Sequence, residues 1–342
     1  MGQEPAWISK ISGCLRSIGE KNRIYPMAKR IEIVFLVEAG NYLLLRTEGP
    51  GDINAVTLPE SGHRVPVILP EKLQAVTRRT LLQLLRNHYN KHAPEVNDFI
   101  RKAQELGFTK ASEHLKTGWN CTIQPPLASS GEKATDLGMD GYCPSCTIFG
   151  VALTSQQLKP ISGMSVGIKT RVHFDPAFAT VEGILPATHN KVSEGMLSTT
   201  GQSLYTEIHV EPGTIFIGRA VITDVTLPEL LAVLGSLIHV EEIGGRSGIY
   251  GTVKIRLAGI RCGTHSSTTA LELADSLAGS RIPSEILSKL GNYLERHGFI
   301  RLTNEEVESL LSDNTMLDLW RSSIDFAEQM VKWVSFASGK KK

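Results

Sequence analysis

Residues 117–140, TGWNCTIQPPLASSGEKATDLGMD, have little apolar periodicity and many Gly, Pro and Ser breakers, so this segment cannot close a hydrophobic core of its own. It runs directly into GYCPSCTIFG, residues 141–150, where Cys143 and Cys146 flank Pro144 and Ser145. Thiolates at that spacing form the knuckle of a structural zinc site, which takes two further ligands from a separate segment. Cys121 offers a third thiolate, and a histidine would complete a Cys3His set. His88 is the first choice, at the end of a helix over this segment, with His92 and His114 as competitors. His88 also lies on a leucine face and reads equally as a core histidine. A redox Cys-x-x-Cys opens a helix near a βαβ pattern. Here β-branched and aromatic residues follow and read as a strand. Cys14 and Cys262 have no ligand pattern beside them and read as isolated thiols.

Five cysteines in 342 residues are too few for a disulfide scaffold, and 41% hydrophobic against 21% charged residues supports a sizeable core. No apolar run approaches the roughly 18 residues of a membrane span, and MGQEPAWISK lacks the apolar stretch of a signal peptide. The expected compartment is the cytoplasm, with no membrane partner. A formal net charge of +1 gives no global sign of an acidic partner and leaves local basic patches open.

RIEIVFLVEAGNYLLLRT reads as two strands about the turn at Gly40-Asn41, and EGPGDINAVTLPESGHRVPV as a long exposed loop. From Pro70 a helix is expected, with Leu73, Val76, Leu81, Leu84 and Leu85 on one side and Arg78, Arg79 and Arg86 supplying charge. SVGIKTRVHF alternates as one strand, with Lys169, Arg171 and His173 opposite an apolar face. A polar, glycine-containing tip between strands then predicts a protruding hairpin at about 185–215. LPELLAVLGSLIHV reads as a second helix, and IGGRSGIYGTVKIRLAGI as a glycine-rich loop feeding a strand. Ser284 is expected as a helix N-cap, and TNEE at residues 303–306 as a capping box. The order predicts an α+β fold with an antiparallel sheet. It divides into a discontinuous core at 27–92 and 147–262, a metal-bearing insertion at 93–146, and a helical C-terminal region at 263–342.

GGRSGIYG lacks the strand-to-helix context and terminal Lys-Ser/Thr of a P-loop. Gly244 and Gly245 nevertheless let backbone N–H groups approach an anion, and Arg246 adds a phosphate fork. Together with Lys169 and Arg171 they point to an extended phosphate backbone as partner, with Arg78, Arg79, Asn190 and Lys191 as further contacts. No hydrolase triad emerges. Asp52, in GPGDINAVT, is a turn aspartate or a carboxylate able to bind a divalent ion or polarise a hydroxyl.

Taken in order, VPVILPEKLQAVTRRTLLQLL, YCPSCTIFGVAL and IGGRSGIYGTVKIRLAGI resemble the backbone subunit of the type I-D CRISPR-Cas interference complex, the Csc member of the Cas-seven branch of the RAMP superfamily. The resemblance covers most of the chain. It implies an RRM-like (ferredoxin-like) core sheet with helices, a zinc-bearing insertion and a thumb hairpin. It also implies copies stacked with other Cas subunits along single-stranded CRISPR RNA, gripping the guide without reading its bases while pairing reads the target strand. Type III relatives carry an aspartate in the loop of Asp52 and cut the target strand. Two other readings remain: a RAMP-type endoribonuclease using His173 or His189 as general base, and a zinc scaffold that never touches RNA.

Overall fold

The computed structural model describes residues 5–45, 53–123, 138–161, 165–190, 204–244 and 250–337, the side chains of 187–190 and 204–207 excepted. A short helix α1 (Ala6–Ile11) and a 3-10 turn (Ser12–Cys14) lead into the long strand β1 (Arg30–Ala39). The strands β2 (Ala55–Thr57) and β3 (Arg64–Ile68) precede helix α2 (Pro70–Lys91), and α3 (Ala93–Glu105), α4 (Thr109–Thr117) and α5 (Pro144–Phe149) follow it. Next come β4 (Val151–Leu153), β5 (Val166–Ile168), β6 (Val172–Phe174), β7 (Ala177–Ala179), β8 (Ile184–Asn190), β9 (Leu204–Val210) and β10 (Ile215–Thr223). The chain closes with α6 (Leu227–Ile238), β11 (Val253–Gly263), α7 (Ala270–Ser276), α8 (Pro283–Arg296), β12 (Ile300–Arg301), α9 (Asn304–Glu308) and α10 (Asp313–Ala337).

The fold is α+β around an antiparallel sheet ordered β12-β11-β1-β10-β7-β3-β2, with β6 also paired to β10. β1 lies within it between β10 and β11, running from Arg30 opposite Thr223 to Glu38 opposite Ile215 on one side and against β11 on the other. Its residues from Ile31 to Val37 are buried one after another, so both faces of the sheet are covered at its centre. At Gly218 a Cβ would come within 2.4 Å of the Phe35 ring, so only glycine lets that ring lie across β10. The helices α2 and α6 pack on each other and on β6 and β11, while α7 covers β7 and β10, and α8 covers β11 and β12.

The helix from Pro70 forms as expected, with Pro70 at its first turn and Glu71 complementing the helix dipole. Leu82 rather than Leu84 completes its buried face. TNEE forms its capping box at Thr303 and Glu306. Ser284 does not cap: α8 begins at Pro283 after an extended Ile282, because proline's fixed φ suits the first helical position.

Four further expectations fail, each for a tertiary reason. Residues 55–68, read as loop, pair as the hairpin β2–β3, whose second strand joins the main sheet through β7. Among its described residues, the segment after Gly40 makes only an isolated bridge, Leu43 to Val210. SVGIKTRVHF is not one strand: β5 pairs with β4 in a separate two-stranded sheet, while β6 pairs with β10. The link between them turns Arg171 inward, so the alternation does not hold Lys169, Arg171 and His173 on one face. Finally, Cys14 and Cys262 are not isolated thiols but a disulfide across 248 residues of sequence, since the 3-10 turn packs on β11.

Arg171 meets Glu229, which is fully buried at the third position of α6. Its Nη1 and Nη2 donate to the two carboxylate oxygens at 3.0 and 2.9 Å. From the other side Arg23 Nη2 donates to both oxygens at 3.1 and 3.0 Å, and the Thr226 backbone N–H donates at 2.8 Å. Burial works against ionisation here, but the charges of Arg171 and Arg23 outweigh it and hold the Glu229 carboxyl at about 2. The unfolded value is about 4.3, so the stabilisation is complete above that pH and drains away as pH falls through the folded value. Removing one member of a buried ion group leaves uncompensated charge, so Glu229→Gln is expected to lower unfolding free energy by about 3–5 kcal/mol in denaturant titration. The variant's stability should also vary less than the wild type's between about pH 4.3 and 2.

Candidate functional site

The segment that could not build a core of its own is held at a buried cluster. Cys143 is the N-cap of α5, with Pro144 starting the helix and Cys146 within its first turn, so the Cys-x-x-Cys opens a short helix rather than a strand. Burial of Thr147, Ile148 and Phe149 overrides their β preference. Cys121 arrives from beyond α4, and Asp140 from the approach to the knuckle. The donor atoms of Cys121, Asp140, Cys143 and Cys146 all lie within 4.8 Å of one another, and all four residues are buried.

The sulfurs of Cys121 and Cys146 are 3.7 Å apart. A tetrahedral ion with metal–sulfur bonds of about 2.3 Å sets neighbouring sulfurs about 3.8 Å apart, so the spacing suits a soft divalent metal. The Asp140 carboxylate is oriented by Trp119 Nε1 at 2.9 Å and by the backbone N–H groups of Tyr142 and Cys143 at 3.2 and 3.0 Å. Burial, followed by the neighbouring Cys146 charge, raises its pKa to about 7. Burial likewise pushes the Cys143 thiol up. Cys146 goes the other way: burial opposes its ionisation, but hydrogen bonds from Cys121 and Cys143 and the Arg78 charge hold it low. Four acidic donors around one point fit a cation, and the residues present suit a structural ion.

None of the nominated histidines belongs to this group. His114 Nδ1 pairs with the Tyr142 hydroxyl at 2.6 Å, and His88 and His92 stand together with Asp313 instead. Asp140 takes the place expected of His88, because the chain turns back at Gly138 and Gly141, both with positive φ, and brings the carboxylate under the knuckle. Its position three residues before Cys143 is the sequence signal for it, since a carboxylate can stand where a thiolate or imidazole is expected. Arg78 also belongs here: Nε donates to Ser145 Oγ at 3.1 Å, and Nη2 lies 3.3 Å from Met139 Sδ.

A second assembly lies at one edge of the core, on residues Tyr42 to Leu45. Leu43 bridges Val210 at the base of the β8–β9 hairpin, which is a two-stranded sheet of its own. The Asn54 N–H bonds the Leu45 carbonyl at 3.1 Å, closing the loop of Asp52. The Gly251 N–H bonds the Tyr42 carbonyl at 2.8 Å, and Asn41 Oδ1 accepts from the N–H groups of Gly251 and Thr252, both at 2.8 Å. Three sequence-distant segments thus spring from one place: the Asp52 loop, the hairpin and the glycine-rich loop. Tyr42, His209 and Tyr250 form an aromatic group there, with ring centroids 5.2–6.5 Å apart and Tyr42 exposed at 42%. These aromatics lie on three separate segments, so no sequence motif announced them.

Of the expected contacts, Gly244 is at this edge, while Asp52, Lys191, Gly245 and Arg246 lie outside the described residues. Asn190 ends β8, and its side chain, like that of His189, is also outside them. Arg79, Lys169 and His173 are exposed. Arg171, 6% exposed and committed to Glu229, is withdrawn as a nucleic-acid contact.

The family model described as Csc2 Crispr matches residues 16–340, and the chain belongs to that family. It is similar to the crystal structure of Thermofilum pendens Csc2 at 50% identity and a TM-score of 0.81, over 98% of this chain and 100% of that one. A chain of a CRISPR RNA-guided surveillance complex, pre-nicking, overlaps 78% of this chain and 86% of its own at 10% identity and a TM-score of 0.48. Another, from a CRISPR RNA-guided surveillance complex, overlaps 78% and 83% at 9% identity and 0.42. No curated protein matches.

Gly244 anchors the glycine-rich loop at φ +109°, where a Cβ would meet the Leu44 carbonyl oxygen at 2.8 Å. Gly244→Ala is therefore expected to destabilise by about 1–3 kcal/mol. Gly167→Ala, in open space on β5, should leave the thermal midpoint nearly unchanged in the same calorimetric comparison.

Proposed function

We propose that this Csc2-family chain is the CRISPR RNA-binding backbone subunit of a type I-D interference complex, working in the cytoplasm with other copies of itself and other Cas subunits. The observation that carries the proposal is the single edge at which hairpin, glycine-rich loop and Asp52 loop meet, because a guide of arbitrary sequence must be held by its backbone and by ring faces. We read β1-α2-β6-β10-α6-β11 as an RRM-like core, given the spatial order β11-β1-β10-β6 and the helix after each of β1 and β10. The hairpin β8–β9 is the thumb, and residues 93–146 the metal-bearing insertion. Gly244, Gly245 and Arg246 hold phosphates, with Asn190 and Lys191 on the thumb side and Arg79 and Lys169 as exposed cations.

Replacing Lys191 and Arg246 together by glutamine should weaken binding to unrelated single-stranded RNAs about equally. The slope of log affinity against log salt should flatten by about 1.4, the share of two phosphate contacts on a single strand. Unchanged affinity, or a loss for one sequence only, would refute the backbone grip. Because the Asp52 loop starts and ends at this edge, a second reading adds target-strand cleavage. Magnesium-dependent periodic products on guide-bound assemblies, absent in Asp52→Ala, would establish it.

Cys121, Cys143, Cys146 and Asp140 hold a structural zinc, which supplies the crosslink that the insertion's sparse apolar content cannot. Elemental analysis of protein never exposed to chelator checks this through the cysteine ligands. Cys143→Ser should lose that zinc and open the insertion to protease, whereas wild-type protein with under about a tenth of an equivalent would show that no zinc is held there.

A further inference from the structure

We propose that His88, His92 and Asp313 form a second, separate site for a divalent transition-metal ion, pinning the start of α10 to the junction of α2 and α3. His88 carries the argument. It is 4% exposed, and among the described residues no side chain hydrogen-bonds Nδ1 or Nε2, the Asp313 backbone being the polar group that comes near the ring. A core histidine normally has a well-formed bond to at least one ring nitrogen, and this imidazole, with only the Asp313 backbone near it, keeps a nitrogen lone pair to offer. The neighbouring donors supply the reason. His92, four residues on, is the joint between α2 and α3; its ring stacks on that of His88 with centroids 4.7 Å apart and planes 25° from parallel. Asp313, the first residue of α10, brings Oδ2 to 3.2 Å from His92 Nε2.

Donor atoms of all three residues lie within 4.8 Å of one another. An ion with bonds of about 2.0–2.1 Å in tetrahedral array sets adjacent donors about 3.3 Å apart, so the His92–Asp313 spacing already suits a shared ion. Two imidazole nitrogens and one carboxylate oxygen favour zinc, cobalt or nickel over calcium or magnesium, which prefer all-oxygen sets. The His92 and Asp313 side chains are 26% and 62% exposed, leaving solvent access and room for water as a further ligand. The site shares no ligand with the cysteine cluster, and its donors contain no sulfur. Its consequence falls on α10, which packs on α3, α5, α6 and α2 and carries Asp325 and Phe326 into the Glu229 network. An ion at Asp313 fixes the first turn of the helix that closes the molecule.

The test uses full-length protein without a histidine tag, its cysteine site loaded with zinc, titrated with Co2+. Wild-type protein should take up one added equivalent whose visible bands lack sulfur-to-cobalt charge transfer, and its thermal midpoint should rise. Asp313→Asn and His92→Gln, each compared with its own metal-free midpoint, should weaken uptake by about tenfold to a hundredfold or more. Both should abolish the cobalt-induced rise. Cys143→Ser should lose the zinc and keep this uptake, which separates failure here from failure of the cysteine site. Absence of the added equivalent, equal uptake by Asp313→Asn and His92→Gln, or bands with sulfur charge transfer would overturn the proposal.

Discussion

The buried carboxylate of Glu229 is the interaction on which the arrangement of this molecule depends. One glutamate accepts from Arg23 in the N-terminal lead, from Arg171 between β5 and β6, and from the backbone at the start of its own helix. Each arginine then reaches further. Arg23 bonds the Ser322 carbonyl and Asp325 on α10, and Arg171 bonds the carbonyls of Thr147 in α5 and Asp224 before α6. Arg171 also lies over the Phe326 ring at 4.8 Å. Five sequence-distant pieces are thereby fixed to one point. Hydrophobic contact alone is non-directional and would tolerate sliding between them; paired guanidinium forks do not.

That junction explains why the knuckle can be where it is. Ser323 on α10 donates to the Tyr142 carbonyl at 2.7 Å and pairs with Thr147 at 2.9 Å, while Trp320 meets Trp119 edge to face. The insertion is clasped between its own cysteine cluster and the C-terminal helix. A metal in the cluster, as proposed, and the ion group at Glu229 would be complementary: one would crosslink a segment that has little apolar surface, while the other orients the helix against which that segment rests.

What was legible in the sequence follows from how local each signal is. The helix from Pro70, the capping box at Thr303 and the strand of β11 each depend on neighbours within a few residues, and they formed where expected. Cys143 and Cys146 lie together as their spacing implies, and Cys121, offered as a third thiolate, joins them. Arg171 was misread because alternation records the local pleat and not which sheet each half of a segment joins. His88 was misplaced because a leucine face establishes burial but not which neighbours the buried ring meets. The Cys14–Cys262 disulfide and the Glu32 pairing with Arg219 and Arg261 cross most of the chain, and no spacing rule reaches that far.

The same topology bears on where the proposed function would have a nucleic acid held. In an open RRM-like sheet, a solvent-facing surface could present rings to bases. Here β1 is buried on both faces, and Phe35, Phe174 and Phe216 are spent inside, so the sheet centre is closed to a strand of RNA. The contact proposed above therefore falls at the edge at Tyr42–Leu45, where segments far apart in sequence emerge together and Tyr42 stays exposed. An edge built of backbone amides, glycine and a few rings has little capacity to tell one base from another, whereas it follows a sugar–phosphate track well. In the proposed function, closure of the sheet and indifference to guide sequence are one property: covering both faces removes a surface that could read bases and leaves an edge that could not.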